Sequence, residues 1–379
     1  MKFSWPKIKI AAKDWVFVAV MAVLCVVFWL IPPLDSPIRQ TGRTVPAEVL
    51  ETNDSMLMEM GVEHYGTQYL QVKILDGEFE GKVFPAVNEL RGEMDLDKIF
   101  VPGDRITVVI TDDVVPEESL LLAKDYDRFP WSMVLFAGFC LLLIVFGAWT
   151  GAKALFSFIF SCLIIFKVII PLTLKGYSAG WMIFGCVALL TAVIVFLVAG
   201  LNRKGVVAFA GSVAGVLSAL IMSHIFTGLL HINGATLHGA RALLYNIDVP
   251  LDLADIFTGA IILACSGAVM DLAMDIASAI EEVSIHNKNL TFAELTASGM
   301  RVGRSVVGTM TTTLLLAYSG GYLTTLMMFA WQGTNPVDVV NNPIVAAEIV
   351  KTLIGSFSLV LVAPLTAIVG GWFFRCREA

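Results

Sequence analysis

The sequence DIFTGAIILACSGAVMDLAMDIASAIEE, residues 255–282, decides the class of this protein. A helix needs about 20 mostly apolar residues to cross the hydrocarbon core of a bilayer, which is about 30 Å thick. No charged residue lies between Asp255 and Asp271, so the stretch predicts a membrane-spanning helix. Its second half is unusual for such a helix, because it carries two carboxylates, Asp271 and Asp275.

Similar apolar stretches occur along most of the chain. The sequence of 379 residues is 57% hydrophobic and only 15% charged, whereas about a quarter of the residues of a typical soluble domain are charged. Eight transmembrane helices are predicted, at residues 15–32, 130–149, 152–172, 179–199, 205–227, 253–280, 305–330 and 344–373. The first is interpreted as an anchor rather than a cleaved signal peptide, because Pro32 and Pro33 follow it in place of a small-residue cleavage site.

Residues 35–128 have a different pattern. Short runs rich in β-branched and aromatic residues alternate there with turn sequences such as Asp76-Gly77. About five strands are predicted, which suggests a small closed all-β barrel of OB-like type; an irregular meander is the alternative. The predicted organisation is an N-terminal anchor helix (1–34), a β domain (35–128) and a seven-helix transmembrane domain (129–379).

Basic residues indicate the orientation, because short cytoplasmic loops are enriched in Lys and Arg. With the N-terminus inside, twelve Lys and Arg fall on the cytoplasmic side and two, Lys175 and Arg241, fall in the short outer loops. The predicted fold class is therefore an all-α bundle in the cell membrane, with both termini cytoplasmic and residues 35–128 extracytoplasmic. Those residues hold 20 Asp and Glu against 9 Lys and Arg, and this acidic balance argues against a nucleic-acid partner.

The predicted helix over residues 253–280 and its extension have one polar face. At 3.6 residues per turn, Gly267, Asp271, Asp275 and Glu282 share that face. An ionised carboxylate near the bilayer centre costs about 2.5–3.5 kcal/mol or more, so it normally faces a partner or water. Two carboxylates one turn apart suit the coupling of proton or cation movement to a conformational change, and Asp271, Asp275 and Glu282 are the predicted coupling residues. The alternative is a structural role, in which Asp271 and Asp275 are bonded to threonine hydroxyls or to a lysine.

The last two predicted helices supply candidate neighbours. Ser319-Gly320-Gly321 either loosens the seventh helix or packs tightly against another helix. In the eighth helix, Glu348 and Lys351 form an (i, i+3) pair that either neutralises itself or contains a switchable counter-ion. A pathway is predicted to be lined by Thr309, Thr312, Glu348, Lys351 and Ser356.

Signatures of soluble enzymes are absent from the sequence. It contains no Walker loop, no HExxH motif and no nucleophile elbow, so we expect neither an enzyme nor a cofactor. An intramembrane enzyme would need a second group opposite Asp271, and Lys351 alone qualifies. A metal site formed by His231, His238 and Asp248 is a weak alternative, because a spacing of seven residues in a loop is not diagnostic; no metal site is predicted.

Three blocks of the sequence resemble the YibE/F family of bacterial membrane proteins. They are GAVMDLAMDIASAIEE (267–282), GRSVVGTMTTT (303–313) and EIVKTLIGS (348–356), the last followed by PLTA (364–367). The resemblance covers roughly residues 130–375. It implies a multi-pass membrane protein with a transport role. It also implies membrane lipids as partners, together with a related membrane subunit or a second copy of the chain.

A more distant likeness is to the proton-driven RND and SecD/SecF exporters. An Asp-bearing helix that ends in Glu-Glu, followed by a Gly-Arg-Ser and Thr-rich helix, occurs in the same order. The likeness implies that Asp271 and Asp275 are proton carriers. The predicted function is an ion- or proton-coupled secondary transporter, in particular an exporter. The alternative is a membrane scaffold or sensor whose outer domain binds an envelope ligand or partner.

Overall fold

The computed structural model describes residues 26–27, 30, 42–93, 96–110, 120–246, 250–287 and 289–375. Two compact units divide between Leu142 and Leu143, so that the β-strands belong to one unit and most of the helices to the other. The predicted anchor helix, residues 15–32, lies almost entirely outside the described residues.

The strands of the first unit form a small barrel. They are β1 (Arg43–Asn53), β2 (Leu57–Met60), β3 (Glu63–Ile74), β4 (Val83–Arg91), β5 (Arg105–Ile110) and β6 (Leu121–Tyr126). The sheet order is β1-β5-β6-β4-β3-β2, and an additional pairing of β1 with β3 closes five of the strands into a ring. Only the β4–β6 pair is parallel among the described pairings. The closed ring confirms the predicted five-stranded barrel and excludes the irregular meander.

Apolar side chains at alternate strand positions fill the barrel interior. Successive side chains of a strand point to opposite faces, and in β1 the inward positions are Val45, Ala47 and Val49, all buried. Ile106 and Val108 of β5 continue the same core and are fully buried. The polar positions between them face outward, which is why a strand pattern was visible in the sequence.

One buried amide ties a connecting segment to the barrel. The side chain of Gln68 on β3 is fully buried, and its Nε2 donates to the Phe100 carbonyl (2.8 Å) and to Oδ1 of Asp54 (2.8 Å). Its Oε1 accepts from the Phe100 N–H and from Nδ2 of Asn88, both at 3.1 Å. Every hydrogen-bonding position of this amide is therefore used, as a buried polar group requires.

The remaining described residues are largely helical. The elements are α1 (Phe129–Ile164), a π-helical turn (Ile165–Ile169), α2 (Ile170–Leu174), α3 (Ala179–Ala199), α4 (Arg203–Leu229), α5 (Ala240–Asn246), α6 (Leu253–His286), α7 (Phe292–Gly320), α8 (Leu323–Trp331), α9 (Pro336–Asn341) and α10 (Pro343–Arg375). Two of these helices are interrupted: α1 is broken at Ala148, where φ is 46°, and α7 is bent by 69° relative to α8.

The predicted count of eight spans is not confirmed. Among the described residues, five helices are long and apolar enough to cross a membrane, or six if α7 and α8 form one bent span. Residues 130–149 and 152–172, predicted as separate spans, lie in one helical run of 46 residues, Phe129–Leu174. The run is not straight, because Gly151 lies against the carbonyl group of Leu143, whereas eight residues of a straight helix rise about 12 Å. A backbone break at Ala148, rather than a loop, separates the two apolar halves.

Helix α6 is the centre of the bundle and packs against α3, α4, α7 and α10. Small residues of its neighbours allow the close approach: Gly215 of α4 contacts Val269, and Gly299 of α7 contacts Ile280. Residues 292–300 form the beginning of α7, after the N-cap Thr291. Gly299 and its buried neighbours belong to the bundle core, so the segment continues the helix.

We predict that replacing Gln68 by Ala destabilises the barrel by about 2 kcal/mol or more. The substitution leaves the buried Phe100 backbone groups and the Asn88 amide without their partner, and each unsatisfied buried group costs about 1–3 kcal/mol. Hydrogen exchange of strands β1 and β3–β6 in the full chain should accelerate. Gln71→Ala, at an exposed position of the same strand, is the control and should leave exchange unchanged.

Candidate functional site

A cavity of about 650 Å³ opens at the end of the bundle where α6 and α10 begin. Its size falls in the range of about 300–1,000 Å³ that small-molecule sites occupy. Apolar walls come from residues such as Leu253 and Phe257 of α6. Its principal polar lining consists of Thr236, His238, Tyr318, Tyr322, Thr325, Glu348 and Lys351.

An ion pair forms one wall of the cavity. Nζ of Lys351 donates to both carboxylate oxygens of Glu348, at 3.2 and 3.1 Å. The two side chains are only 25% and 23% exposed. The Lys351 ammonium also lies 5.3 Å from the centre of the Tyr318 ring, a distance at which cation–π attraction acts. The predicted (i, i+3) pair is thus present, partly shielded from water and facing an open space.

Tyr318 brings an unsatisfied polar group to the same wall. Its hydroxyl is buried and forms no hydrogen bond with any part of the chain that the structure describes. Leaving a buried hydroxyl unpaired costs about 1–3 kcal/mol, and such groups are uncommon in folded proteins. The phenol is therefore available to a ligand or to ordered water in the cavity.

The break between α7 and α8 also faces this cavity. Helix α7 ends at Gly320, α8 begins at Leu323, and the intervening Gly321 and Tyr322 both line the cavity. Tyr322, the N-cap of α8, makes no side-chain capping bond, so no side chain satisfies the first amides of α8 there. At membrane depth, non-helical backbone occurs where it is buried in protein or borders a water-filled cavity.

The carboxylates predicted to couple ions lie elsewhere. Asp271 and Asp275 are on the exposed face of α6, and neither lines the cavity. Asp271 follows the cavity residue Phe257 by fourteen positions, which is about 20 Å along the helix. Within the described chain, neither carboxylate forms an ion pair or a hydrogen bond. Glu282, near the end of α6, is exposed and lies 3.4 Å from Nδ1 of His286.

The packing of α7 against α6 indicates the depth of Thr309 relative to these carboxylates. Gly303 contacts Ile276, and Gly299 contacts Ile280. In this antiparallel register Thr309 falls near the level of Asp271. It is also on the α6-facing edge, because positions 299, 302, 306 and 309 follow one helical stripe. The Thr309 hydroxyl itself donates to the Val306 carbonyl (2.9 Å).

The structure therefore separates the predicted pathway residues into two places. Glu348 and Lys351 line the cavity. Thr309 borders α6 at the level of Asp271. Thr312 is exposed and donates to the Gly308 carbonyl at 3.0 Å. Ser356 is half-buried, donates to the Thr352 carbonyl at 2.9 Å, and does not line the cavity.

Sequence reasoning missed Tyr318, Tyr322 and Thr325 as site residues. The signal available for them was Gly320-Gly321, because paired glycines inside an apolar span mark a place where a helix can break. The two tyrosines flank that pair. Their polar ends become meaningful only once the break is seen to border the cavity.

The weak alternative of a metal site is not supported. His238 lines the cavity described above, whereas His231 lines a separate one of about 430 Å³, so the two histidines do not converge. Asp248 lies outside the described residues. No cluster of three His, Cys, Asp or Glu side chains suited to a metal ion is found among residues that the structure describes.

We predict that substitutions of Glu348 and Lys351 have strongly non-additive effects on the free energy of unfolding. Lys351→Met should destabilise the protein by about 2–4 kcal/mol, because breaking a buried pair costs about 3–5 kcal/mol and the cavity wets part of this one. Glu348→Gln combined with Lys351→Met should recover much of the loss, since no unpaired charge remains. Thermal unfolding in detergent measures Glu348→Gln, Lys351→Met and the double variant.

The control for this cycle is an exposed pair on the barrel, Arg91 and Glu89, which are 3.2 Å apart and 73% and 54% exposed. Arg91→Met should cost less than about 1 kcal/mol, as is usual for pairs at a wet surface. Strictly additive effects at Glu348 and Lys351 would show that the pair does not form.

Comparison with known proteins agrees with the architecture. The family model of YibE/F-like proteins matches residues 135–376, which include both the cavity and the carboxylates of α6. No curated protein and no solved structure matches the chain. Because the matched region contains the apolar helices and covers more than half of the sequence, the chain is a multi-pass membrane protein that belongs to the YibE/F family.

Proposed function

We propose that the protein is an ion- or proton-coupled secondary transporter of the cell membrane, with both termini in the cytoplasm. The observation that carries the proposal is the broken α7–α8 helix, whose break borders a cavity that also contains the Glu348–Lys351 ion pair. Discontinuous helices at charged cavities are how secondary transporters build substrate sites, because the ends of the helix segments present free backbone groups to the ligand.

The two polar places on the bundle then have different roles. The cavity receives the substrate, and the charges of Glu348 and Lys351 orient it. Asp271 and Asp275, with Thr309 at the same level, take up and release the coupling ion about 20 Å along α6. A carboxylate without a partner in an apolar helix is suited to that role, because its charge state is then decided by the ion that reaches it. Export is the direction implied by the likeness to RND exporters.

Accessibility of the cavity tests this proposal without knowledge of the substrate. The six native cysteines are replaced, and Thr325→Cys places a thiol on the cavity wall. A membrane-impermeant maleimide should label it from one side of reconstituted vesicles. An imposed pH gradient should change the labelling rate by about fivefold or more, the smallest usual effect of coupling between two sites. In a chain that carries both Asp271→Asn and Asp275→Asn, the thiol at position 325 should still be labelled, but the labelling rate should no longer depend on the pH gradient.

The control thiol is Val360→Cys, at an exposed position of α10 that does not line the cavity. A lipid-facing thiol should resist the impermeant reagent with or without a gradient. Labelling of Thr325→Cys that ignores the gradient would reject transport by alternating access and favour a scaffold or sensor. Gradient-dependent labelling that survives both Asn substitutions would retain transport but remove the role of the carboxylates.

A further inference from the structure

We infer that two copies of this chain associate in the membrane through the exposed faces of α6 and α7, with Asp275 of each copy facing Arg301 of the other. This inference goes beyond the proposed function: it pairs Asp275 and leaves Asp271 to exchange the coupling ion, and subunit counting tests it without any transport measurement.

The first step is the exposure of both faces. Asp271 and Asp275 of α6 are exposed, and so is Gly267 one turn earlier. On α7, Arg301 and Thr312 are exposed, as are Ser305 and Gly308 between them. These positions recur at intervals of three and four residues, so each set forms a single stripe along its helix.

The second step is that the charges have no partner within one chain. Asp271, Asp275 and Arg301 form no ion pair or hydrogen bond within the described chain, although α6 and α7 are neighbours. A carboxylate or guanidinium in a membrane helix does not remain against lipid, because the cost is several kcal/mol. Something must therefore cover these faces.

The third step is that the two faces complement each other in charge. The stripe on α6 is acidic and the stripe on α7 is basic at its inner end. In a dimer with a two-fold axis along the membrane normal, the same patch of each copy meets the other, and residues meet at equal depth. The α6 stripe of each copy then meets the α7 stripe of the other, so the dimer contains two contacts between an acidic and a basic stripe. A second copy is thus a sufficient occupant of both faces.

The fourth step is depth. Because Gly299 contacts Ile280 and Gly303 contacts Ile276, Arg301 lies near the level of residue 278. That level is about 4.5 Å from Asp275 along the helix axis, well within the length of an arginine side chain. Gly267 and Gly308 add small surfaces that permit close approach of the helices. The interface therefore satisfies charge, depth and packing together.

Charge reversal in separate chains provides a sharp test. The full chain is reconstituted at low density in vesicles of phosphatidylethanolamine and phosphatidylglycerol, and subunits are counted by single-molecule photobleaching. Wild type should be dimeric. Asp275→Arg and Arg301→Asp should each lower the dimer fraction about tenfold or more alone, because each creates two like-charge contacts, which cost several kcal/mol.

Mixing the two variants is the decisive arm. In a mixed pair, Arg at position 275 of one copy meets Asp at position 301 of the other, and the second contact keeps its native charges. Two-colour labelling should therefore show mixed dimers near the wild-type fraction. This recovery cannot arise from misfolded chains, from lipid, or from an unrelated subunit.

A disulfide test covers the case in which reversed charges impair folding. Chains with Gly267→Cys alone and chains with Thr312→Cys alone, at matched levels in this register, should cross-link to each other on oxidation. Asp338→Arg on α9 is the control and should leave the dimer intact. A monomeric wild type, or mixed variants that neither pair nor cross-link, would overturn the proposal.

Discussion

The cost of leaving a charge against hydrocarbon is the constraint on which the rest of this structure depends. A charged side chain inside an apolar helix must find an opposite charge, water or another protein surface. The described chain meets this requirement at one place and leaves it unmet at another. Glu348 and Lys351 neutralise each other and face a cavity. Asp271 and Asp275 have no such arrangement within the described chain, and their need for a cover or for an ion defines the unusual face of α6.

The bundle keeps these two places in fixed relation through one helix. Helix α6 carries the carboxylates in its second half and forms part of the cavity wall at its start. Its contacts with α4 and α10 rely on small residues, such as Gly215 of α4 against Val269 and Gly355 of α10 against Cys265. Such contacts leave no room for a shift without clashes, because helix interiors are closely packed. We therefore expect the parts of the bundle around α6 to be the rigid element.

Sequence patterns predicted the elements well where one physical rule dominates. Continuous apolarity located α3, α4 and α10 within one or two residues of their ends, and alternation located the barrel strands. Between residues 130 and 172 the predicted boundary, residues 150–151, lies next to the backbone break at Ala148, and the rule failed only to show that a break rather than a loop connects the two halves. It also could not assign Thr312 or Ser356 to the surface or the interior, since that depends on which neighbour a helix face meets. Tyr318 and Tyr322 escaped for the same reason: their position beside Lys351 and Glu348 is a property of helix packing.

The location of the break between α7 and α8 follows from the same constraint. Gly320-Gly321 interrupts a span that otherwise would continue, and the interruption is stable because the backbone there borders a cavity instead of lipid. Gly321 keeps helical backbone angles (φ −70°, ψ −21°), and the backbone leaves the helix at Tyr322 (φ −133°, ψ 29°). With α6 held by its small-residue contacts, a conformational change is expected in α8 relative to α7. Such a movement would alter the cavity wall at Tyr322 and Thr325. The Glu348–Lys351 pair would stay in place on α10, so that α8, and not the charged wall, would open the cavity.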